Sequence, residues 1–250
     1  MIVPRRLPWL AWLALLAAWP AGAAEEGRRT GLFAIAAEGR PRRPCWLYVP
    51  RSTEATKTYP LVVVLHPAGL RGSRFAKIWG EAAEQTGEFL VAAPECMDQE
   101  KRLWAFADEP QFLATVRKVI SDYNVDPTRV LLTGFSQGGV YTYIFGLRNP
   151  QLFRAIAPVS GALLARPNPE TRRILEQARH VPVYIAHGAA DTRIPVERAR
   201  AARDRLEKLG YTVHYRELPY HGHSYPHGES ARIWAWFKAL RPAGVREGKE

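Results

Sequence analysis

The chain has 250 residues, of which 47% are hydrophobic and 24% charged, and carries a formal charge of +11. That length suits one large folded domain, and this balance of apolar and charged residues excludes an intrinsically disordered chain. The arginines are spread over several predicted segments, with no basic block interleaved with aromatics, so the positive balance suits solubility, anionic membranes or acidic polysaccharide rather than nucleic acid.

The first stretch differs in kind from the rest. Arg5 and Arg6 precede an apolar run from Leu7 to Trp19, and Ala21-Gly22-Ala23 then offers the small residues that a signal peptidase reads. Residues 1–23 therefore read as a secretory signal cut after Ala23, and residues 24–250 as a single domain. The apolar run is shorter than the ~20 residues of a spanning helix, so no stable membrane insertion is expected after cleavage. Removal takes away two arginines and no acid, and the remainder stays basic. The expected location is secreted or periplasmic.

Taken in order, Thr30 to Ile35 and Cys45 to Val49 flank the turn residues Gly39-Arg40-Pro41 and read as an N-terminal hairpin. Leu61-Val62-Val63-Val64-Leu65 is an uninterrupted aliphatic run of the kind found in a central parallel strand, and it ends in His66-Pro67-Ala68-Gly69. Phe75 to Thr86 has helical character, Phe89 to Ala93 is a buried strand, and a polar loop carrying Trp104 leads to a helix from about Glu109 to Asn124. Val125 to Arg129 turns the chain into the next strand. Strands follow at Ala155 to Val159, Val183 to His187 and Thr212 to Leu218, with helices at Val196 to Leu209 and Ser230 to Leu240. Strand alternating with helix predicts an α/β fold with a mostly parallel sheet covered on both faces, whose ligands bind at the carboxyl ends of the strands.

The stretch Val130-Leu131-Leu132-Thr133-Gly134-Phe135-Ser136-Gln137-Gly138-Gly139 reads as strand, sharp turn and helix, with Ser136 on the turn. A serine held there needs strained backbone angles, and glycine at 134 and 138 removes side chains that would collide where strand and helix approach. Here the chain resembles the α/β-hydrolase superfamily and its nucleophile elbow. The resemblance implies an α/β-hydrolase fold with about eight strands and no large lid domain, and the chain order nucleophile, acid, histidine.

A serine hydroxyl needs a base within reach and a third group to orient that base. His187-Gly188-Ala189-Ala190-Asp191-Thr192-Arg193-Ile194-Pro195 places an aspartate just past a strand, followed by the Ile-Pro turn of the family's acid loop, which makes Asp191 the acid. Two histidines follow the last strand, in Tyr220-His221-Gly222-His223-Ser224. His223 follows a glycine, as the family's histidine does, and is favoured as the base over His221. A metal site of His221, His223 and His227 is disfavoured, since no cysteine or acidic cluster accompanies them.

The resemblance also implies an oxyanion hole formed by the backbone N–H groups of Gln137 and Ala68. His66 reads as structural. The loop departs from the family's usual His-Gly-x, since Pro67 stands at the second position. Within the superfamily the chain is similar to the small secreted esterases of the polyhydroxybutyrate depolymerase and feruloyl esterase group, and to the phospholipase/carboxylesterase and dienelactone hydrolase-like proteins. What this implies is hydrolysis of a small-molecule or polymeric carboxylic ester by Ser136, His223 and Asp191 without cofactor or metal. A peptidase or thioesterase on the same scaffold and a non-catalytic binding module are the alternatives. In this fold the strand carrying Cys45 runs antiparallel beside the strand that Cys96 follows, which implies a Cys45–Cys96 disulfide, permitted by export. Trp79, Trp104 and Phe106 are candidate pocket walls.

Overall fold

The computed structural model describes residues 29–37, 40–164 and 168–240. The predicted signal segment, residues 1–23, and Gly39 of the predicted turn lie outside the described residues.

In chain order the elements are β1 (Gly31–Ala37), β2 (Arg40–Val49), β3 (Tyr59–Leu65), α1 (Gly72–Thr86), β4 (Leu90–Pro94), α2 (Glu109–Asp122), β5 (Val125–Phe135), α3 (Gln137–Arg148), β6 (Ala155–Val159), α4 (Pro169–Gln177), β7 (Val183–Gly188), α5 (Glu197–Lys208), β8 (Val213–Leu218) and α6 (Glu229–Ala239). The strands form one eight-stranded sheet in the order β1-β2-β4-β3-β5-β6-β7-β8. Strand β2 is antiparallel to both of its neighbours, and the pairings from β4 through β8 are parallel. From β3 the chain moves outward to β4 and then returns across β3 to β5. That reversal opens a crevice at the carboxyl ends of β3 and β5, where open α/β sheets bind their ligands.

Why the central strands read as continuous apolar runs follows from their two-sided burial. All seven residues of β3 are buried. Leu61, Val63 and Leu65 pack with residues of α2, α3 and α5 on one face, while Val62 and Val64 join Phe75 and Trp79 of α1 and Ile233 and Phe237 of α6 on the other. Each such side chain contributes about 1.5–3 kcal/mol on burial. A polar substitution in β3 therefore perturbs one of two cores.

Two expectations need correction. Val125 to Arg129 lies within β5, where Tyr59 pairs with Val125 but Leu61 already pairs with Val130. The intervening residues bulge out, held by Asp126 Oδ1 accepting from the backbone N–H of Thr128 at 2.9 Å. The Cys45–Cys96 bridge is absent, and both cysteines are buried free thiols. Cys45 stands opposite Pro94, so Cys96 lies beyond the paired end of β4. There its N–H donates to His66 Nε2 at 3.3 Å and its thiol to Asp98 O at 3.3 Å, which points Sγ along its own loop. Burial pushes the Cys96 thiol up to about 12 and raises Cys45 as well.

Candidate active site

Ser136 joins β5 to α3 with φ 56° and ψ −119°, a conformation that costs a non-glycine residue about 1–3 kcal/mol. Its own N–H donates to Val159 O at the end of β6 (3.0 Å), which ties the turn to the neighbouring strand. The flanking glycines are sterically required. A Cβ on Gly134 would lie 2.5 Å from Gly138 O, and one on Gly138 would lie 2.2 Å from Leu65 O.

His223 reaches this serine from the loop after β8. Its Nε2 lies 2.8 Å from Ser136 Oγ, and its Nδ1 lies 2.7 Å from Asp191 Oδ2. A buried carboxylate only accepts, so Nδ1 carries the hydrogen and Nε2 turns its lone pair to the serine hydroxyl. Asp191 Oδ1 accepts from the N–H groups of Arg193 and Ile194, at 2.9 Å each. Burial pushes the Asp191 carboxyl upward, but the Ile194 N–H, the His223 ring and the Arg193 N–H outweigh it and hold the group below its ordinary value. The acid loop and the histidine loop are also joined directly, Ala190 N–H donating to His221 O at 3.0 Å. His221 itself turns away, its Nε2 lying 3.0 Å from Ser224 O within the same turn.

Leu65 pairs with Gly134, so Ala68 and Gln137, three residues beyond each, leave the sheet at the same edge. Gln137 is the first residue of α3, where a backbone N–H has no acceptor inside the helix. Trp104 braces the two loops. Its indole N–H donates to His66 O at 2.8 Å, and its backbone N–H donates to Gln137 Oε1 at 3.0 Å. His66 is buried and structural, donating from Nδ1 to Pro67 O at 2.9 Å and accepting at Nε2. Burial lowers its pKa to about 4.

Of the three aromatics named as pocket walls, Phe106 is the exposed one. Trp79 is fully buried in the core against Phe89, and Trp104 is the brace just described. Phe106 is 62% exposed and lines a cleft of about 810 Å³ with Ile144, Leu163, Leu164 and Ile174. At 1.5 Å of rise per residue, this cleft meets α3 roughly 10 Å along the helix from Ser136. A second cleft, of about 560 Å³, lies between α1 and the loop after His223 and is lined by Leu70, Phe135 and Ser224. Ser136 itself is half-buried at the start of α3.

Sequence reasoning missed the side chain of Gln137 and also Asp108, which accepts from the N–H groups of Ala105 (2.6 Å) and Met97 and so holds the Trp104 loop. Gln137 has no sequence signal, because its partner Trp104 is 33 positions away, whereas Asp108 reaches back only to Ala105 and Met97 and could have been read as an acid capping the turn before α2. Among the described residues no cluster of three or more His, Cys, Asp or Glu is arranged to hold a metal ion, and no helix is long and apolar enough to cross a membrane.

A family model described as phospholipase/carboxylesterase matches residues 93–240, from the end of β4 to the end of α6. The chain belongs to this family. Carboxylesterase SOBER1 of Arabidopsis thaliana is 30% identical over 141 residues, covering 52% of this chain and 60% of that protein. Acyl-protein thioesterase 1 of Gibberella zeae is 30% identical over 122 residues, covering 48% of this chain and 52% of its own. The chain spans about half the length of the curated relatives it matches. Among solved structures, a thermostable esterase superposes with a TM-score of 0.65 at 26% identity, over 83% of this chain and 62% of that one. The acetyl xylan esterase from Aspergillus awamori gives 0.67 at 19% identity, over 83% and 100%, which shows the α/β-hydrolase fold alone.

Proposed function

We propose that this family member is an exported serine esterase that cleaves carboxylic esters through an acyl-enzyme intermediate. The observation that carries the reading is the unbroken chain from Asp191 through His223 to Ser136, at 2.7 and 2.8 Å, ending on a strained turn. Ser136 Oγ attacks the ester carbonyl carbon as His223 Nε2 takes its proton, and the tetrahedral oxyanion is received by the N–H groups of Ala68 and Gln137. His223 then returns the proton to the leaving alcohol oxygen, and the acyl group stays on Ser136. Water, deprotonated by the same nitrogen, repeats the attack and releases the acid. Asp191 orients the ring and stabilises the imidazolium in both halves. Removing one oxyanion donor typically costs about 10²- to 10³-fold in turnover.

Among the described residues the segment between β6 and β7 carries one nine-residue helix, α4, too little for a lid domain, which supports short acyl groups, or bulky polymeric or sugar-linked esters, in place of long lipid chains. Export is part of the same proposal and rests on the Arg5 to Ala23 segment; it predicts a mature N-terminus at Ala24 by intact mass. Similarity to an acyl-protein thioesterase favours one second reading, cleavage of thioesters, which uses the same groups.

The test is labelling of purified protein with a fluorophosphonate, followed by intact mass, beside Ser136→Ala. One adduct, absent from the variant, is expected; no adduct on folded protein would overturn the reading. Matched oxygen and sulfur esters of one acyl group then separate esterase from thioesterase. A series of acyl lengths checks the short-chain preference, and faster hydrolysis of long chains would refute it.

A further inference from the structure

The Asp191 carboxylate has one more neighbour. His187, the next-to-last residue of β7, is fully buried, and its Nε2 lies 2.7 Å from Ile194 O and 3.4 Å from Asp191 Oδ2. A carbonyl oxygen can only accept, so the ring carries its hydrogen on Nε2. The short contact to Ile194 is the hydrogen bond; the longer one leaves the same N–H beside the carboxylate oxygen that also receives the His223 ring. Ile194 is thereby held from both sides. Its C=O is fixed by His187, and its N–H donates to Asp191 Oδ1 at 2.9 Å.

The loop needs such an anchor. Asp191 is buried, yet Ala189, Ala190, Thr192, Arg193 and Pro195 around it are exposed, and no regular element spans them. A buried acid on an exposed loop keeps its place only through fixed bonds. A tie to Ile194 from inside the sheet starts at His187, whose backbone is paired to β8 opposite Glu217.

We propose that His187 is a positioning residue for the reaction. Anchored in β7, it holds Ile194, and through Ile194 the Asp191 carboxylate, at the distance from which His223 is oriented toward Ser136. This rests on the Ser136–His223–Asp191 reading above. It adds a fourth side chain that never meets the substrate.

The test uses the reach of two amides. In His187→Gln the side-chain nitrogen takes the place of Nε2 and still donates to Ile194 O, whereas in His187→Asn it falls short. Misplacement of a catalytic group by about 1 Å can cost ~10²-fold, so His187→Asn is expected to lower kcat roughly 10- to 100-fold with KM within about threefold. His187→Gln is expected to stay within about threefold of the parent in kcat. In an Asp191→Asn background His187→Asn should add less than about threefold, because nothing remains to be positioned.

Equal losses in both backgrounds, or a folded His187→Gln that loses as much as His187→Asn, would overturn the proposal. If His187→Asn does not fold, His187→Thr, a strand-compatible residue without the reach, takes its place in the same cycle. Fluorophosphonate labelling of the parent separates the two ideas: an unlabelled parent sinks the triad reading itself, while a labelled parent with a flat cycle sinks only the role of His187.

Discussion

Asp191→Asn is the substitution whose outcome the geometry specifies most fully. Asp191 Oδ1 accepts two backbone N–H groups at 2.9 Å, and Oδ2 accepts the His223 Nδ1–H at 2.7 Å. An asparagine there has one acceptor and one donor group. Turning the NH₂ toward Arg193 and Ile194 would set donor against donor twice, so the carbonyl oxygen keeps those bonds and the NH₂ faces His223. The ring must then accept at Nδ1 and carry its hydrogen on Nε2, pointing an N–H at Ser136 Oγ where a lone pair is required. The wrong tautomer is expected to lower kcat by about 10⁴-fold, which at 1.36 kcal/mol per decade is roughly 5.4 kcal/mol of transition-state stabilisation. Because the two backbone bonds survive, the thermal midpoint should move little. The assay is kcat and KM on p-nitrophenyl acetate, with the fluorophosphonate rate as a substrate-free check and thermal melting as the control. A loss under tenfold on folded protein would refute the role assigned to Asp191, and so would an equal loss carried by KM alone.

Three further outcomes are expected. His223→Ala should abolish nearly all turnover while His221→Ala retains most of it, since the His221 ring bonds to Ser224 within its own turn and its backbone carbonyl is kept in the variant; the reverse order in the same assay would exchange the two roles. Both cysteines should resist a thiol reagent in the native protein and both should react after denaturation without reductant, because each is buried with its thiolate disfavoured; fewer than two thiols would mean a bridge. His66 makes stability fall on the acid side. Its folded pKa of about 4 lies below the unfolded value near 6.5, so the unfolded chain binds the extra proton, and the stabilisation present above pH 6.5 is lost as pH falls toward 4. The full effect is on the order of 3 kcal/mol, and pH-dependent melting of the parent against His66→Gln should show the slope shrink in the variant.

Much of the architecture was legible because its signals are local. The aliphatic runs at 61–65 and 130–132 are buried on both faces, so they had to read as unbroken apolar segments. The turn at Ser136 was legible because strand, turn and helix follow one another in one short stretch, although Gly138 also makes room for Leu65 of β3. Element ends were harder. Nothing in Asp126-Pro127-Thr128 says that it bulges from a strand instead of preceding one, since that is decided by its partner β3. The disulfide expectation failed for a similar reason, as strand adjacency brings Cys45 opposite Pro94 but leaves the direction of the Cys96 side chain to the loop and to His66. The aromatics Trp79, Trp104 and Phe106 are alike in composition and differ only in what packs over them.

By itself, then, the sequence carried the order of strands and helices, which follows from periodicity, while the elbow and the aspartate beyond β7 were read from motifs that resemble the family's. The Gly222-His223 pair favoured His223 over His221 in the same loop, but the tertiary structure supplies the geometry that puts its ring on Ser136, 87 positions away. The tertiary structure alone decided that Trp104 and Gln137 tie the loop after β3 to α3, and that His187 stands behind Asp191. Hydrogen bonds have a reach of about 3 Å and a direction, and a chain sets those only when sheet register and loop closure have brought its distant parts together.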